Sequence, residues 1–158
     1  MSETKINIRA KLSGLQTILS VPKTRTNKFG GYKYWNCSDI LAGAKKHFAE
    51  FGVSILLSDE IVVLGDRFYV KATATMVDND GTDTIGVSAF AREPLNVKGQ
   101  SEAQISGASS SYARKYALCA LLALDDEQDA DATNTHGKEK PVIRKAQPIS
   151  PKSEQDIF

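Results

Sequence analysis

The fold is decided by residues 104–124, which read QISGASSSYARKYALCALLAL. The segment begins with small and hydroxyl side chains, continues through an aromatic and cationic cluster, and ends in a leucine-rich apolar run. Three carboxylates follow directly, at Asp125, Asp126 and Glu127. A helix that is apolar on every side is typical of a buried one. We therefore predict a long helix over roughly 102–124 whose C-terminal half is anchored in the core.

Two further helices are predicted near the start of the chain. Apolar residues recur at helical spacing on one face of residues 5–20. A second helix is expected from Asp39 to Phe51, because Ser38 is a suitable N-cap and Gly52 a suitable stop. Residues 22–35 form the loop between them.

Three strands are predicted next. Residues 53–57, continuing to 61–64, are apolar and β-branched. Residues 67–77 and 84–92 alternate between apolar and other side chains, and the intervening Asp78-Asn79-Asp80-Gly81 is typical of a hairpin turn. This order of elements predicts an α+β domain in which helices back a three-stranded antiparallel meander.

The composition changes beyond Asp131. The remaining residues include three prolines and few apolar side chains, without periodicity, which predicts disorder. We therefore divide the chain into a folded domain, residues 1–131, and a disordered tail, residues 132–158.

Composition and charge narrow the class of protein. A length of 158 residues with 41% hydrophobic and 25% charged content is typical of one soluble domain. The longest apolar run, residues 117–124, is too short to cross a membrane, and no secretion signal is evident, so a cytoplasmic location is expected. The net charge of +1 hides a mildly basic part, residues 1–124, followed by an acidic block. That basic part fits a polyanionic ligand.

A basic and aromatic loop is the first candidate site. Residues 23–35 read KTRTNKFGGYKYW and contain four cations, four aromatic side chains and no carboxylate. Single-stranded nucleic acid is bound by this mixture, because cations follow the phosphates and aromatic faces stack on bases. The alternative is a solvated loop whose Tyr34 and Trp35 pack beneath the second helix, and for Trp35 we favour that alternative. The candidate DNA-binding residues of the loop are Lys23, Arg25, Lys28, Tyr32, Lys33 and Tyr34.

The closing helix carries the second candidate site. At 100° per residue, Ser111, Arg114 and Lys115 form one polar stripe, whereas Tyr112 and Tyr116 share the opposite face. The alternative is an ordinary core helix with two surface cations, which periodicity alone would favour. The candidate DNA-binding residues are Ser111, Tyr112, Arg114 and Lys115, joined by Lys45 and Lys46 on one flank of the second helix.

No catalytic or metal-binding constellation is predicted. Neither His47 nor His136 has a nucleophile or ligand partner in the pattern, and no Gly-rich phosphate-binding loop with its lysine is present. The acidic block at 125–131 lacks paired His or Cys ligands, so it is interpreted as solvated. We expect a binding protein without enzymatic activity, cofactor or metal.

Several motifs occur together along residues 5–131. The most specific is Ser111-Tyr112-Ala113-Arg114-Lys115-Tyr116-Ala117-Leu118. It is preceded by Tyr32-Lys33-Tyr34, Ser38-Asp39-Ile40-Leu41 and Phe51-Gly52-Val53 and followed by Asp125-Asp126. In this order the motifs resemble the Erf family, the single-strand annealing recombination proteins of bacteriophages and prophages.

The resemblance implies an ATP-independent protein that coats single-stranded DNA and pairs complementary strands. It also implies assembly of the protein with itself into rings or filaments, and a core similar to the β-β-β-α unit of Rad52-like annealing proteins. By resemblance, Tyr112, Arg114 and Lys115 become the best DNA-contact candidates of the last helix. A phage exonuclease or a host replication or repair protein is a further partner of the kind that this context implies.

The last residues suggest one more site. Asp156-Ile157-Phe158 is similar to the acidic, Phe-terminated tips with which bacterial single-strand binding proteins dock on DNA-repair partners. These three residues are candidates for partner binding. The alternative is an uninformative terminus, because short matches in disordered segments arise easily.

Two other classes of function remain open at this point. One is a single-strand binding protein that protects DNA without annealing it, although the five-stranded barrel usual for that class fits the predicted helices poorly. The other is an oligomeric scaffold that binds no nucleic acid and uses the closing helix as its interface.

Overall fold

The computed structural model describes residues 6–80 and 83–124, and its elements confirm the predicted α+β order. The predicted tail and the tip residues Asp156, Ile157 and Phe158 lie outside the described residues. One unpredicted feature is a pair of two-residue strands inside the loop at 22–35, which form an antiparallel hairpin. The elements are α1 (Ile8–Ile18), β1 (Arg25–Thr26), β2 (Lys33–Tyr34), α2 (Cys37–Lys45), α3 (Phe48–Phe51), β3 (Val53–Leu64), β4 (Arg67–Asp78), β5 (Thr84–Glu93) and α4 (Glu102–Leu122).

The main sheet is an antiparallel meander in the order β3-β4-β5. The segments predicted separately at 53–57 and 61–64 form one continuous strand, β3, which pairs with β4 over its full length. Alternate residues of β4 are buried, as the alternating pattern predicts; they are Val70, Ala72, Ala74, Met76 and Asp78. These side chains define the face of the sheet on which the helices pack.

Small residues bring α4 close to this face. Ala72 and Ala74 on β4 and Ala113 and Ala117 on α4 are all fully buried. Leucines then fill the core around the last turns of α4, as predicted; Leu118, Leu121 and Leu122 are at most 1% exposed. The N-terminal half of α4 is thereby held on the sheet with one side turned outward.

The predicted start of the second helix is wrong by two residues. Asn36, not Ser38, is the N-cap, because its side chain accepts from the Asp39 N–H while the Asp39 carboxylate accepts from the Asn36 N–H. This reciprocal pair is a capping box. The predicted single helix is also divided into α2 and α3 by a tight turn, in which His47 N–H donates to Ala44 O at 3.0 Å. Gly52 ends α3 as predicted, with the left-handed φ of 59° that glycine adopts without strain.

A buried ion pair ties α1 to the end of β4. Lys11 Nζ lies 3.0 Å from Asp78 Oδ1 and 3.4 Å from the carbonyl oxygen of Gly52. The Asp78 side chain is fully buried, and Lys11 is 15% exposed. At the other end of α1, Gln16 Nε2 donates to the carbonyl of Leu121 at 2.8 Å. These two polar contacts fix α1 against both the sheet and α4.

The second face of the sheet, called the open face below, points away from the helices. Nothing among residues 6–80 and 83–124 covers it, and Leu56 and Phe90 there are 60% and 53% exposed. None of the helices in this part of the chain combines the length and the apolar character that a membrane crossing requires.

Candidate nucleic-acid interface

Two tyrosines and a lysine form a cluster on the outward side of α4. Tyr112 and Tyr116 are four residues apart and therefore neighbours on the helix surface. Their rings lie 4.7 Å apart between centroids, and their hydroxyl oxygens are 2.9 Å apart. Lys115 Nζ lies over both rings, 4.3 Å from the Tyr116 centroid and 5.1 Å from the Tyr112 centroid. We call these three residues the α4 cluster.

The protonation of this cluster suits an anionic ligand. The hydrogen bond with Tyr116 raises the pKa of Tyr112, burial raises it further, and Lys115 opposes both effects only in part. Tyr112 is therefore a neutral phenol at physiological pH, and the ammonium group of Lys115 gives the cluster a positive charge. Tyr112 is 54% exposed and Tyr116 36%, so the rings and the charge are accessible from solvent together.

The β1–β2 hairpin brings the loop aromatics toward the α4 cluster. Tyr32 and Tyr34 meet edge to face, with ring centroids 6.3 Å apart. The turn is built by Asn27, whose side chain accepts from the N–H groups of Phe29 and Gly30 and donates to the Tyr32 hydroxyl at 2.9 Å. Tyr32 is close enough to Tyr112 to raise its pKa electrostatically. Tyr32 of the loop and Tyr112 of the helix are therefore near each other, although they are about 80 residues apart in sequence.

The cations of the loop differ in whether they form ion pairs. Arg25 forms a two-point ion pair with Asp39, with Nε–Oδ2 at 2.7 Å and Nη2–Oδ1 at 3.2 Å. This contact, together with a backbone hydrogen bond from Asn36, lowers the pKa of Asp39. Lys28 and Lys33 are exposed and have no ion-pair partner in the described part of the chain. These two lysines therefore carry the uncompensated charge of the hairpin.

The structure confirms the interpretation of Trp35 as a core residue. It is 6% exposed, its indole N–H donates to the Val21 carbonyl at 2.8 Å, and Lys23 Nζ lies 4.5 Å from its ring centroid. Lys23 is thereby drawn toward the base of the loop. Trp35 anchors the hairpin to the core and presents no free face for stacking.

Arg114 points to the sheet and not along the predicted polar stripe. Its Nε and Nη2 lie 2.9 Å and 2.8 Å from the carboxylate oxygens of Asp59 on β3, and Ser110 Oγ donates to the same carboxylate at 2.6 Å. Burial raises the pKa of Asp59, but the hydrogen bonds from Arg114 and Ser110 outweigh it and leave the pKa below its ordinary value. Arg114 and Lys115 therefore diverge, because a helix rotates 100° between successive residues.

The remaining candidate DNA-binding residues are exposed and take no part in these contacts. Lys45 and Lys46 are at the C-terminal end of α2, and Ser111 lies on α4. None of the three forms a hydrogen bond or ion pair through its side chain within the described ranges.

Sequence reasoning missed two features of the site. Asp59 gave no signal, since it lies between Ser58 and Glu60 in a polar interruption of the apolar strand and meets Arg114 only after folding. The second is a cleft of about 340 Å³ at the free edge of β5, between Phe90, Ala91 and Arg92 on the strand and Ala108, Ser109 and Tyr112 on α4. The small residues of α4 gave a partial signal, because they allow another chain to come close.

The comparisons with known proteins fit this arrangement. The sequence profile described as the ERF superfamily matches residues 8–156. The chain belongs to the ERF superfamily. It is 47% identical over 150 residues to the essential recombination function protein of Salmonella phage P22, covering 92% of this chain and 71% of the phage protein. No solved structure matches the chain. The ERF assignment confirms the resemblance drawn from the sequence motifs, and the match includes the hairpin and the α4 cluster.

Proposed function

We propose that the protein binds single-stranded DNA and anneals complementary strands, without ATP, in phage or prophage recombination. The observation that carries the proposal is the α4 cluster, in which Lys115 lies over two exposed tyrosine rings. The β1–β2 hairpin adds a second pair of aromatic rings, those of Tyr32 and Tyr34. The ERF assignment and the name of the P22 relative support a role in recombination.

The chemistry of this surface suits exposed bases. Each base that stacks on an aromatic side chain contributes about 1–3 kcal/mol, without preference for sequence. Lys28, Lys33 and Lys115 supply positive charge for the phosphates. A surface of this kind holds the sugar–phosphate chain and leaves base edges free to test a second strand. Strand pairing of this kind breaks no covalent bond. The proposed activity therefore needs neither a catalytic residue nor ATP.

The proposal also includes self-assembly. In the described ranges β3 and β5 each have one long edge that is unpaired. Unpaired edges are templates for another strand. Near the β3–β4 turn four apolar side chains are exposed by 43–58%; they are Ile61, Val63, Leu64 and Phe68. A contact between different edges of neighbouring copies is heterologous and generates rings or filaments. We expect Val63→Asp to reduce oligomer size in sedimentation velocity, with Ser13→Asp on the exposed side of α1, away from both sheet edges, as control.

Two assays test the proposed function. Fluorescence anisotropy with a labelled oligo(dT) and with a duplex of equal length, at several salt concentrations, should show a preference for the single strand and a linear loss of log affinity with log salt. Loss of fluorescence from two complementary labelled oligonucleotides should then show faster pairing with protein and no nucleotide. Tight binding without faster pairing would place the protein in the protective class. Absence of binding at low salt would favour the scaffold.

A further inference from the structure

A second group of aromatic and cationic side chains lies on the open face of the sheet. Tyr69 and Lys71 on β4 are directly opposite Arg92 and Phe90 on β5. Cross-strand partners have Cβ atoms about 4.5–5.5 Å apart, and residues two apart on a strand are separated by about 6.7 Å. The four side chains are therefore contiguous. We call them the sheet-face patch.

The charge of the open face is positive. Its seventeen strand positions include three cations, Arg67, Lys71 and Arg92, and one carboxylate, Glu60. Glu60 pairs with Lys71 at 2.5 Å. Arg92 is exposed and has no ion-pair partner among residues 6–80 and 83–124. Phe90 beside it is 53% exposed. An aromatic ring next to an uncompensated guanidinium is the combination that stacks a base and holds its phosphate.

Hydroxyl groups continue this surface along the sheet. Thr73 and Ser88 are opposite each other, with hydroxyl oxygens 2.8 Å apart, and Thr75 and Thr84 lie further along the same face. Hydroxyl side chains are common donors to phosphate and sugar oxygens. The β4–β5 part of the open face carries no carboxylate. The positive charge is therefore concentrated at one end of the two strands, near Lys71 and Arg92, and neutral hydroxyl groups continue the face toward the other end.

We propose that the sheet-face patch binds the second of two DNA strands during annealing, while the hairpin and the α4 cluster hold the first. This inference rests on the proposed annealing function. It assigns the second strand to a surface separate from the hairpin and the α4 cluster. The ligand is single-stranded DNA, because exposed bases meet Tyr69 and Phe90 while phosphates meet Lys71 and Arg92.

The cleft at the edge of β5 connects the two surfaces. Phe90 and Arg92 of the sheet-face patch line it together with Tyr112 of the α4 cluster. The two surfaces therefore meet at this edge of the sheet, and the proposal places one DNA strand on each side of it.

The inference is tested with Lys71→Ala/Arg92→Ala, and with Arg92→Ala alone, since Arg92 makes no ion pair within the described ranges whose loss would disturb the sheet. Arg9→Ala/Lys98→Ala is the matched control, because it removes two exposed cations that lie outside both surfaces. Circular dichroism and chemical unfolding establish that each variant is folded. Three quantities are then measured: affinity for one labelled oligo(dT), annealing rate, and capture of labelled oligo(dC) by protein already saturated with unlabelled oligo(dT).

The double variant should bind the first strand within about threefold of the wild type. Its annealing rate and its capture of the second strand should each fall at least tenfold. The salt slope of the residual capture should fall by about 0.7 to 1.4, because each phosphate contact accounts for about 0.7 and Glu60 already neutralises part of the charge of Lys71. Arg92→Ala should show the same losses at smaller amplitude, and the control should match the wild type. Wild-type annealing and capture in the double variant would overturn the inference, as would a loss of first-strand affinity equal to the loss of capture. If the wild type itself does not anneal, the proposed function fails first.

Discussion

Arg114 of α4 and Asp59 of β3 form a two-point ion pair, with Nε and Nη2 of the guanidinium each within 3.0 Å of the carboxylate. The pair fixes which side of α4 faces β3. It thereby also fixes the side of the helix on which the α4 cluster is exposed to solvent. The proposed function gives Arg114 a second role. One edge of its guanidinium is bound to Asp59, and the other remains available to a phosphate, since an arginine carries five N–H donors.

Asp59→Asn should reduce stability at neutral pH, and this difference should vanish in acid. The pKa of Asp59 is lowered in the folded state, so its contribution is present above the ordinary carboxyl pKa of about 3.9 and is lost as pH falls through the lowered value. A partly exposed pair of this kind contributes about 1 kcal/mol or less. Urea unfolding of both proteins at pH 7 and near pH 3 measures the difference. A gap of equal size at both pH values would show that the charge of Asp59 is not its source.

Tyr112→Ala should weaken binding of oligo(dT), whereas Tyr112→Phe should nearly preserve it. Stacking on the ring is worth about 1–3 kcal/mol per base, or roughly 5- to 150-fold in affinity. The phenylalanine variant keeps the ring and loses only the hydroxyl contact with Tyr116. Anisotropy titrations at one salt concentration give both affinities. Equal losses of affinity in the two variants would show that the hydroxyl group, and not stacking on the ring, contributes to binding.

The two exposed lysines of the hairpin should contribute more to salt dependence than its arginine. Lys28→Ala/Lys33→Ala should lower the magnitude of the log-affinity slope by about 1.4, because each single-strand phosphate contact accounts for about 0.7. Arg25→Ala should change the slope by less than 0.7, roughly, since Asp39 already neutralises Arg25. Titrations with oligo(dT) at four salt concentrations measure the slopes. A larger change for Arg25→Ala would mean that the pair with Asp39 opens when DNA binds.

Lys11→Met should destabilise the fold strongly, and Arg9→Met on the same helix should not. Lys11→Met takes the ammonium group away from the buried carboxylate of Asp78, and breaking a buried ion pair costs about 3–5 kcal/mol. Arg9 is exposed, so its replacement should stay within about 0.5 kcal/mol. Chemical unfolding curves compare the two variants. Similar stabilities would show that α1 is held without this ion pair.

Most of the fold follows from local patterns in the sequence. The alternation along β4, the leucines at the end of α4 and Gly52 as a helix stop each reflect a single element and its burial, so they were predicted correctly. Asn36 was not predicted as the N-cap, because both Asn36 and Ser38 suit the position and the Asp39 carboxylate decides between them. The division of α2 from α3 and the small β1–β2 hairpin also escaped prediction, since each depends on a few backbone hydrogen bonds.

The residues of the candidate site were chosen from composition and motifs, and their arrangement was not predicted. Tyr112 and Lys115 were expected on different faces of α4, yet the long Lys115 side chain folds over the tyrosine rings. Arg114 was expected beside Lys115 and is bound to Asp59. The partners of Arg25 and Arg114 come from other elements, so local spacing could not reveal them.

Annealing by the Arg114→Ala/Lys115→Ala variant is the most direct test of the proposed DNA site on α4. Wild type and variant are mixed with complementary labelled oligonucleotides, without ATP, at several salt concentrations, and oligomer size is measured in parallel. We expect fast pairing by the wild type and a rate at least tenfold lower in the variant at unchanged oligomer size. Equal pairing rates in the two proteins would contradict the placement of the DNA site on α4.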